Sequence, residues 1–464
     1  MKKVKIPLFL QKMGEIFKEN GFESYLVGGA VRDMVMGKTP TDWDITTNAT
    51  PHDVKKIFKR VIPTGIAHGT VTVHFMKNEI EVTTFRTEST YSDGRHPDKV
   101  QFASTIYDDL SRRDFTINAI AASLNDGKII DPYNGMDDIK RKVIKTVGSP
   151  LERFNEDGLR PVRAVRFCAK LHFSIETETL QAISNPASLK KTAMVSVERF
   201  RDEFIKILAT EKPSDALKLF EQTGIMNIFL PELLRGRNCI QNDVRGYHIF
   251  DVLDHCLYAC DGAPCDKLPV RLAALLHDIG KPDAKVIKQT DAGEICTFYN
   301  HESYSEKITR EMLSRLKFSN AMIENVAHLV KNHMFFYEPS WSDAAIRRFL
   351  VRVGYENIDD LIDLRLADIY GKYNKNVRLH DSESCLLLIE LKERIEKIHS
   401  ENAALSLKSL AINGRDLMEI GIPAGKDLGR ILNALFETVL DDPAQNTKET
   451  LLKIASRLQQ ERKA

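Results

Sequence analysis

Three acids and a pair of glycines carry the first chemistry in this sequence. In GGAVRDMVMGKTPTDWDITTNA, Gly28 and Gly29 are followed by Arg32 and Asp33, and then by Asp42 and Asp44 on either side of Trp43. Side chains alternate along a strand, so in an extended DWDITT the two aspartates share one face while Trp43 and Ile45 turn to the core. Carboxylates placed side by side repel and raise each other's pKa unless divalent cations sit between them. NEIEVTTF repeats the alternation, with Glu79, Glu81 and Thr83 opposite Ile80 and Val82, and Glu81 is the candidate third acid. Two Mg2+ ions so held can activate a ribose 3′-hydroxyl and stabilise departing pyrophosphate in an in-line displacement. A lone DxD also suits an exposed polar strand face, so the third acid carries weight.

The elements that must position these groups are legible around them. SYLV is a short apolar run ending at Gly28 and Gly29, and AVRDMVMG has helical spacing, so the stretch reads strand, tight turn, helix. Backbone N–H groups at a helix start attract anions, and glycine lets a phosphate approach closely. An ordinary strand-to-helix turn has the same sequence.

At 464 residues the chain has room for three or four domains of about 100 to 200 residues each. Lys and Arg number 66 against 65 Asp and Glu, so only local patches can favour a polyanion. Seven cysteines, odd in number and without a CxxC pair, point to reduced thiols rather than a disulfide frame. The start MKKVKIPLFL is signal-like for ten residues only and then runs into an amphipathic helix pattern. No apolar run approaches the ~18 residues of a membrane span, so a soluble, cytoplasmic protein without a membrane partner is expected. There is no internal repeat.

Further motifs follow in order: RRDFTINA (112–119), DPYNGMDDI (131–139), EDGLRPVRAVRF (156–167) and ERFRDEF (198–204). Together with GGxVRD and DxD, this series resembles that of the class II tRNA nucleotidyltransferases, the bacterial and eukaryotic CCA-adding enzymes with bacterial poly(A) polymerases as kin. The resemblance implies an α+β architecture: a nucleotidyltransferase head with a polymerase-β-like mixed sheet (1–150), a helical neck and start of the body (151–235) and a helical RNA-binding tail (391–464), with residues 236–390 read below, from a second resemblance, as an HD domain. It also implies catalytic Asp42, Asp44 and Glu81 with Mg2+, and nucleotide contacts from Gly28, Gly29, Arg32, Asp33, Arg113 and Asp114. Asp157 and Arg160 become the template that reads the base, with Arg163 as a second donor. Cytosine and adenine both offer an amino donor beside a ring-nitrogen acceptor, and guanine and uracil the reverse. An i,i+3 spacing on one helix brings Asp157 and Arg160 together, and an ordinary surface ion pair has that spacing too. Pro161 biases Arg160 away from helical dihedrals, so a kink is expected there. Glu198, Arg199 and Glu203 are read as braces for this turn. FRTESTYSDGRHPDKVQF (85–102), rich in turn formers, resembles the flexible loop of full CCA-adding enzymes, and also suits a plain surface connector.

LAALLHDIGKP places His277 and Asp278 at the end of an apolar helix and resembles the HD phosphohydrolase superfamily. His255 precedes the doublet, and His301, His333 and Asp368 follow it. Such ligands suit Mn2+, Ni2+, Fe2+, Zn2+ or Mg2+ and hydrolysis of a phosphoester, a phosphatase or 2′,3′-cyclic phosphodiesterase. A vestigial fold used as scaffold remains open. In the C-terminal quarter, Gly421–Gly429 with Lys426 and Arg430 suits an RNA phosphate or a packing helix equally. The expected function is addition or repair of the tRNA 3′-terminal CCA from CTP and ATP. The alternatives are a poly(A) polymerase and a noncatalytic RNA-binding protein on this frame; the sequence leaves the oligomeric state open.

Overall fold

The structure, a computed structural model, describes residues 3–66, 69–88, 100–241, 249–291, 293–373, 382–401 and 405–461. The chain divides into two compact units, one of residues 1–234 with 315–317 and one of 235–314 with 318–464. The architecture is mixed α+β, with the large sheet confined to the first unit.

That sheet has seven strands: β1 (Ser24–Val27), β2 (Asp44–Thr47), β3 (Val61–Gly65), β4 (Thr70–Phe75), β5 (Asn78–Thr84), and, beyond a separate hairpin formed by β6 (Arg86–Glu88) and β7 (Val100–Phe102), β8 (Ala121–Ser123) and β9 (Ile129–Ile130). Their order is β3-β4-β5-β2-β1-β8-β9, antiparallel throughout except between β2 and β5. The alternation read from NEIEVTTF holds: Ile80, Val82 and Thr84 are buried, while Glu79 and Glu81 face out. The N-terminal helix Leu8–Glu19 packs Leu10, Met13 and Phe17 inward at spacings of three and four. The loop predicted between β6 and β7 lies, for residues 89–99, outside the described residues; its ends pair, Arg86 with Phe102 and Glu88 with Val100.

Helices from Pro150 to Leu234 complete the first unit. Phe200 of the helix Val197–Leu208 anchors them, stacked 3.9 Å from Phe229 and 5.7 Å from Phe204.

In the second unit the helices Val252–Gly262, Leu268–Leu276, Asn320–Asn332 and Ile358–Tyr373 pack on one another. Two glycines set the closest crossing. A Cβ on Gly371 would stand 2.8 Å from the His255 carbonyl oxygen, and one on Gly262 would stand 2.7 Å from Cβ of Tyr370. Both helix backbones therefore approach to a distance that alanine forbids. The C-terminal helices Gly414–Glu419, Lys426–Asp441 and Lys448–Gln460 enclose a core of their own built on Leu417, Leu435, Val439 and Leu451. The Arg347 guanidinium caps this bundle by donating to the carbonyls of Leu440 and Asp441. All seven cysteines are free thiols. Among the described residues no helix is long and apolar enough to cross a membrane.

Candidate active site

A cavity of about 870 Å³ opens in the first unit where the ends of β1 and β2 meet the helices that follow the sheet. Seven arginines and four carboxylates line it, a lining suited to a polyphosphate with bound cations. The β1 turn is built as the spacing predicts. Gly28 has φ +68° and ψ −131°, a conformation open to glycine, and a Cβ there would stand 3.0 Å from Nη1 of Arg113 and 4.0 Å from Oδ2 of Asp44. Its missing side chain is what lets cation and carboxylate converge. Gly28→Ala is accordingly expected to lower kcat/KM for CTP by about ten- to a hundredfold, the usual penalty of a misplaced reacting group, in a steady-state incorporation assay.

Asp44 and Glu81 are direct partners in the parallel β2–β5 ladder, and both line the cavity. Burial raises the pKa of each, the Asp42 charge adds to the rise at Asp44 and the Asp44 charge to that at Glu81, and Arg113 and Arg86 oppose them. These acids lack sufficient positive charge from the protein and are apt to take it from metal ions. Asp42 is placed differently from the extended DWDITT predicted above. It sits on a bend before β2, exposed to solvent, and the ladder reaches back only to the Trp43 carbonyl, which accepts from the Glu81 amide. Trp43 is held edge-on by Phe9, with centroids 5.5 Å apart.

Arg32 lines the cavity; Asp33 does not, and instead holds the Arg32 guanidinium at 2.8 Å, while Asn118 accepts from Arg32 Nη1. Arg112 and Arg113 are both tied to the fully buried Asp109. Asp114 is the most constrained acid of the cavity. Burial pushes its carboxyl up, but the Arg163 guanidinium and hydrogen bonds from Asn118 and Arg163 outweigh this and hold it down to about 2. A carboxylate whose pKa is lower in the folded chain stabilises above its unfolded value, here an ordinary 3.8, and loses that contribution as pH falls toward 2. The stability advantage of the native chain over Asp114→Asn should therefore shrink by about 2 kcal/mol between pH 6 and pH 2 in chemical denaturation.

The template segment departs from the predicted single helix. One helix ends at Glu156, Asp157 is extended at φ −137°, and the next helix begins at Arg160. The break falls at Gly158, where a Cβ would lie 2.4 Å from the Lys191 carbonyl oxygen, so tertiary packing rather than local propensity sets it. Pro161 sits in the first turn of the second helix, where its missing N–H costs nothing, and the predicted kink is absent. Asp157 accepts from Nη2 of Arg199 at 2.8 Å and from the Leu159 amide at 2.9 Å. Arg160 donates to Glu156 and to the carbonyls of Arg153 and Arg112. Both still line the cavity. The Phe167 ring packs beneath, with Arg166 at 4.0 Å and Arg32 and Arg163 at 5.4 Å from its centroid. Glu203 pairs with Arg166, Arg199 braces Asp157 and also lines the cavity, and Glu198 is exposed. Arg86, Arg112, Asn118 and Thr72 line it as well; Arg112 and Asn118 lie within RRDFTINA and Arg86 at the start of FRTESTYSDGRHPDKVQF, whereas Thr72 carries no sequence signal.

In the second unit, His255, His277, Asp278, His301, His333 and Asp368 are all buried and come together as two trios. His255, His277 and Asp368 form one; Asp278, His301 and His333 form the other. Asp278 spans both, with Oδ2 3.2 Å from His255 Nε2 and Oδ1 3.1 Å from His301 Nε2. Nδ1 of His277, His301 and His333 each lies 2.6 to 2.8 Å from the carbonyl oxygen three residues earlier, a geometry in which Nδ1 carries the proton and Nε2 is a bare acceptor. The Nε2 atoms of His301 and His333 nevertheless face one another at 3.2 Å, and His277 Nε2 lies 3.1 Å from that of His255. At His301 and His333 acceptor is aimed at acceptor, and with Asp278 beside both pairs the arrangement fits divalent cations. Gly371→Ala would push its helix off the His255 carbonyl and separate His255 from Asp368; a loss of about 1 to 3 kcal/mol by chemical denaturation is expected.

A second cavity, about 650 Å³, opens onto this cluster and is lined by Lys281, Lys331, Arg352, Arg365 and Lys372 as well as by Asp278, His301, His333 and Asp368. Lys281 Nζ lies 2.6 Å from Asp278, and Arg365 pairs with Asp368. In the C-terminal bundle Lys426 and Arg430 are exposed at the start of their helix.

Three families match successive stretches: the Poly A polymerase head domain at residues 24–145, the probable RNA and SrmB-binding site of polymerase A at 172–235, and the putative tRNA nucleotidyltransferase domain 2 at 289–455. The chain is 34% identical over 439 residues to the CCA-adding enzyme of Lactobacillus johnsonii, covering 94% of each, and 32% identical over 464 residues to that of Enterococcus faecalis, covering 98% of each. Its fold matches the Bacillus stearothermophilus CCA-adding enzyme in complex with CTP at a TM-score of 0.73 and 27% identity, over 100% of this chain and 99% of that one. With relatives this similar over nearly its whole length, the chain belongs to the CCA-adding enzymes, the tRNA nucleotidyltransferases.

Proposed function

We propose that the head cavity extends a tRNA 3′ end to CCA from CTP and ATP, and that Asp42, Asp44 and Glu81 are its metal-binding acids. The observation that carries this reading is the Asp44–Glu81 pairing beside Gly28 and Arg113. Mg2+ held there would supply charge neutralisation to the triphosphate and activate the ribose 3′-hydroxyl. Gly28, Gly29, Arg32 and Arg113 receive the phosphates, with Asp33 orienting Arg32. Asp114, held ionised, accepts from a ribose hydroxyl. Asp157 retains acceptor capacity beyond its two hydrogen bonds, and Arg160 is a fixed donor, so together they suit the shared edge of cytosine and adenine and leave buried groups unpaired against guanine or uracil. Arg163 now acts through Asp114 rather than on the base. Lys426 and Arg430 suit an RNA backbone, and a tRNA substrate fits a cytoplasmic location.

The experiment is to offer a tRNA ending before CCA with CTP and ATP. Three added nucleotides and a stop are expected. A long oligo(A) product would favour the poly(A) polymerase reading, and an inactive native chain the noncatalytic one.

The second unit supports a second activity, metal-dependent hydrolysis of phosphoesters, including the 2′,3′-cyclic phosphates of damaged RNA ends. The split into two trios bridged by Asp278 suits two ions, which would supply Lewis-acid polarisation of the ester and of the attacking water. Mn2+, Ni2+, Fe2+, Zn2+ and Mg2+ all accept such ligands. Lys281 and Arg365 each hold a bridging or ligating carboxylate and keep the cluster's charge balanced.

A further inference from the structure

The outer part of the second cavity has features that the metal cluster does not use. Tyr299 is 72% exposed and Met334 56%, both on the cavity lining, and large apolar side chains held in water at a polar site suit a stacked base. Lys288 lies 5.6 Å from the Tyr299 ring centroid and adds positive charge beside it. Lys331 donates to the Ser303 hydroxyl, and Arg352 rests its guanidinium 5.5 Å from the Phe349 centroid; among the described residues neither forms an ion pair. The inner cations are already engaged, Lys281 with Asp278 and Arg365 with Asp368. A free cyclic nucleotide brings one phosphate, which the metal cluster would take. It leaves Lys331 and Arg352 with nothing to meet. A strand end brings a second phosphate one nucleotide back and a further base.

Resting on the hydrolase reading above, we propose that Tyr299, Lys331 and Arg352 form a subsite for the nucleotide that precedes the terminal phosphate of an RNA strand. Through it the site selects RNA ends over free nucleotides. Tyr299 stacks the base, and the two cations receive the internal phosphate.

The test compares a tetranucleotide ending in a 2′,3′-cyclic phosphate with the free 2′,3′-cyclic mononucleotide of the same base, using the full chain with Mn2+. The native chain is expected to favour the tetranucleotide by about tenfold or more in kcat/KM, a preference that weakens as salt rises. Tyr299→Ala and Arg352→Ala should each bring that ratio toward one, and Tyr299→Phe should keep it. A native ratio near one, or variants that lower both substrates alike, overturns the subsite. If neither substrate is cleaved, the hydrolase reading fails, and the subsite is judged on binding of a 3′-phosphorylated tetranucleotide by fluorescence anisotropy. Weakening of about tenfold in Arg352→Ala then supports it, and unchanged affinity overturns it.

Discussion

Asp44→Asn is expected to lower CTP incorporation by at least about a thousandfold, some 4 kcal/mol of transition-state stabilisation, while raising the melting temperature of the metal-free chain. Both effects have one cause. Burial raises the Asp44 pKa and Asp42 adds to the rise, so at neutral pH the folded chain holds a carboxylate that would be more at ease in the unfolded one. Asparagine has the same shape without the charge, which removes that cost and also removes the attraction for a cation. The register fixes Asp44 opposite Glu81, so no neighbouring acid can move into its place. Adding Mg2+ should stabilise the native chain and leave Asp44→Asn little changed, shrinking or reversing their order in a thermal melt. Incorporation within tenfold of native by Asp44→Asn would remove this residue from the catalytic centre.

How far such a centre can be read from sequence depends on the range of the forces that build it. Asp44 and Glu81 were legible because a period of two fixes the face of every residue in a strand, and parallel pairing then set them side by side. Asp42 was less so, since where a strand starts depends on what its neighbour offers: the last ladder bond goes to the Trp43 carbonyl. The segment proposed to read the base shows the limit most clearly. Nothing local in EDGLRP separates Asp157 and Arg160 into two elements; the break comes from Gly158 lying against the backbone of Lys191, more than thirty residues away. Arg199 read as a brace from its helix alone, and only the fold shows that bracing Asp157 also brings it to the cavity. The order of His255, His277, Asp278, His301, His333 and Asp368 pointed to side chains that could hold a metal, and the fold gathers them. Their division into two trios was hidden, because it depends on the close helix crossing that Gly262 and Gly371 allow.

The double substitution His277→Ala/Asp278→Ala should lower Mn2+-dependent hydrolysis of a 2′,3′-cyclic nucleotide by a thousandfold or more and leave CTP incorporation within about twofold. His277 belongs to one trio and Asp278 reaches both, so their joint loss would take a ligand from each ion that the trios could hold. The double substitution leaves the buried Lys281 without its Asp278 partner, at a cost of about 3 to 5 kcal/mol, so a thermal melt must first show that the variant is folded. His301→Ala provides the finer measurement. It touches only the second trio, so elemental analysis of the loaded protein should fall from about two ions per chain to about one, against none in the double variant. The first cavity is lined by residues 28–199 and the second by residues 278–372, each within one unit, so chemistry lost in one need not disturb the other. Loss of both activities in the folded double variant would contradict separate sites, and full hydrolysis in its absence of metal would leave the cluster a scaffold.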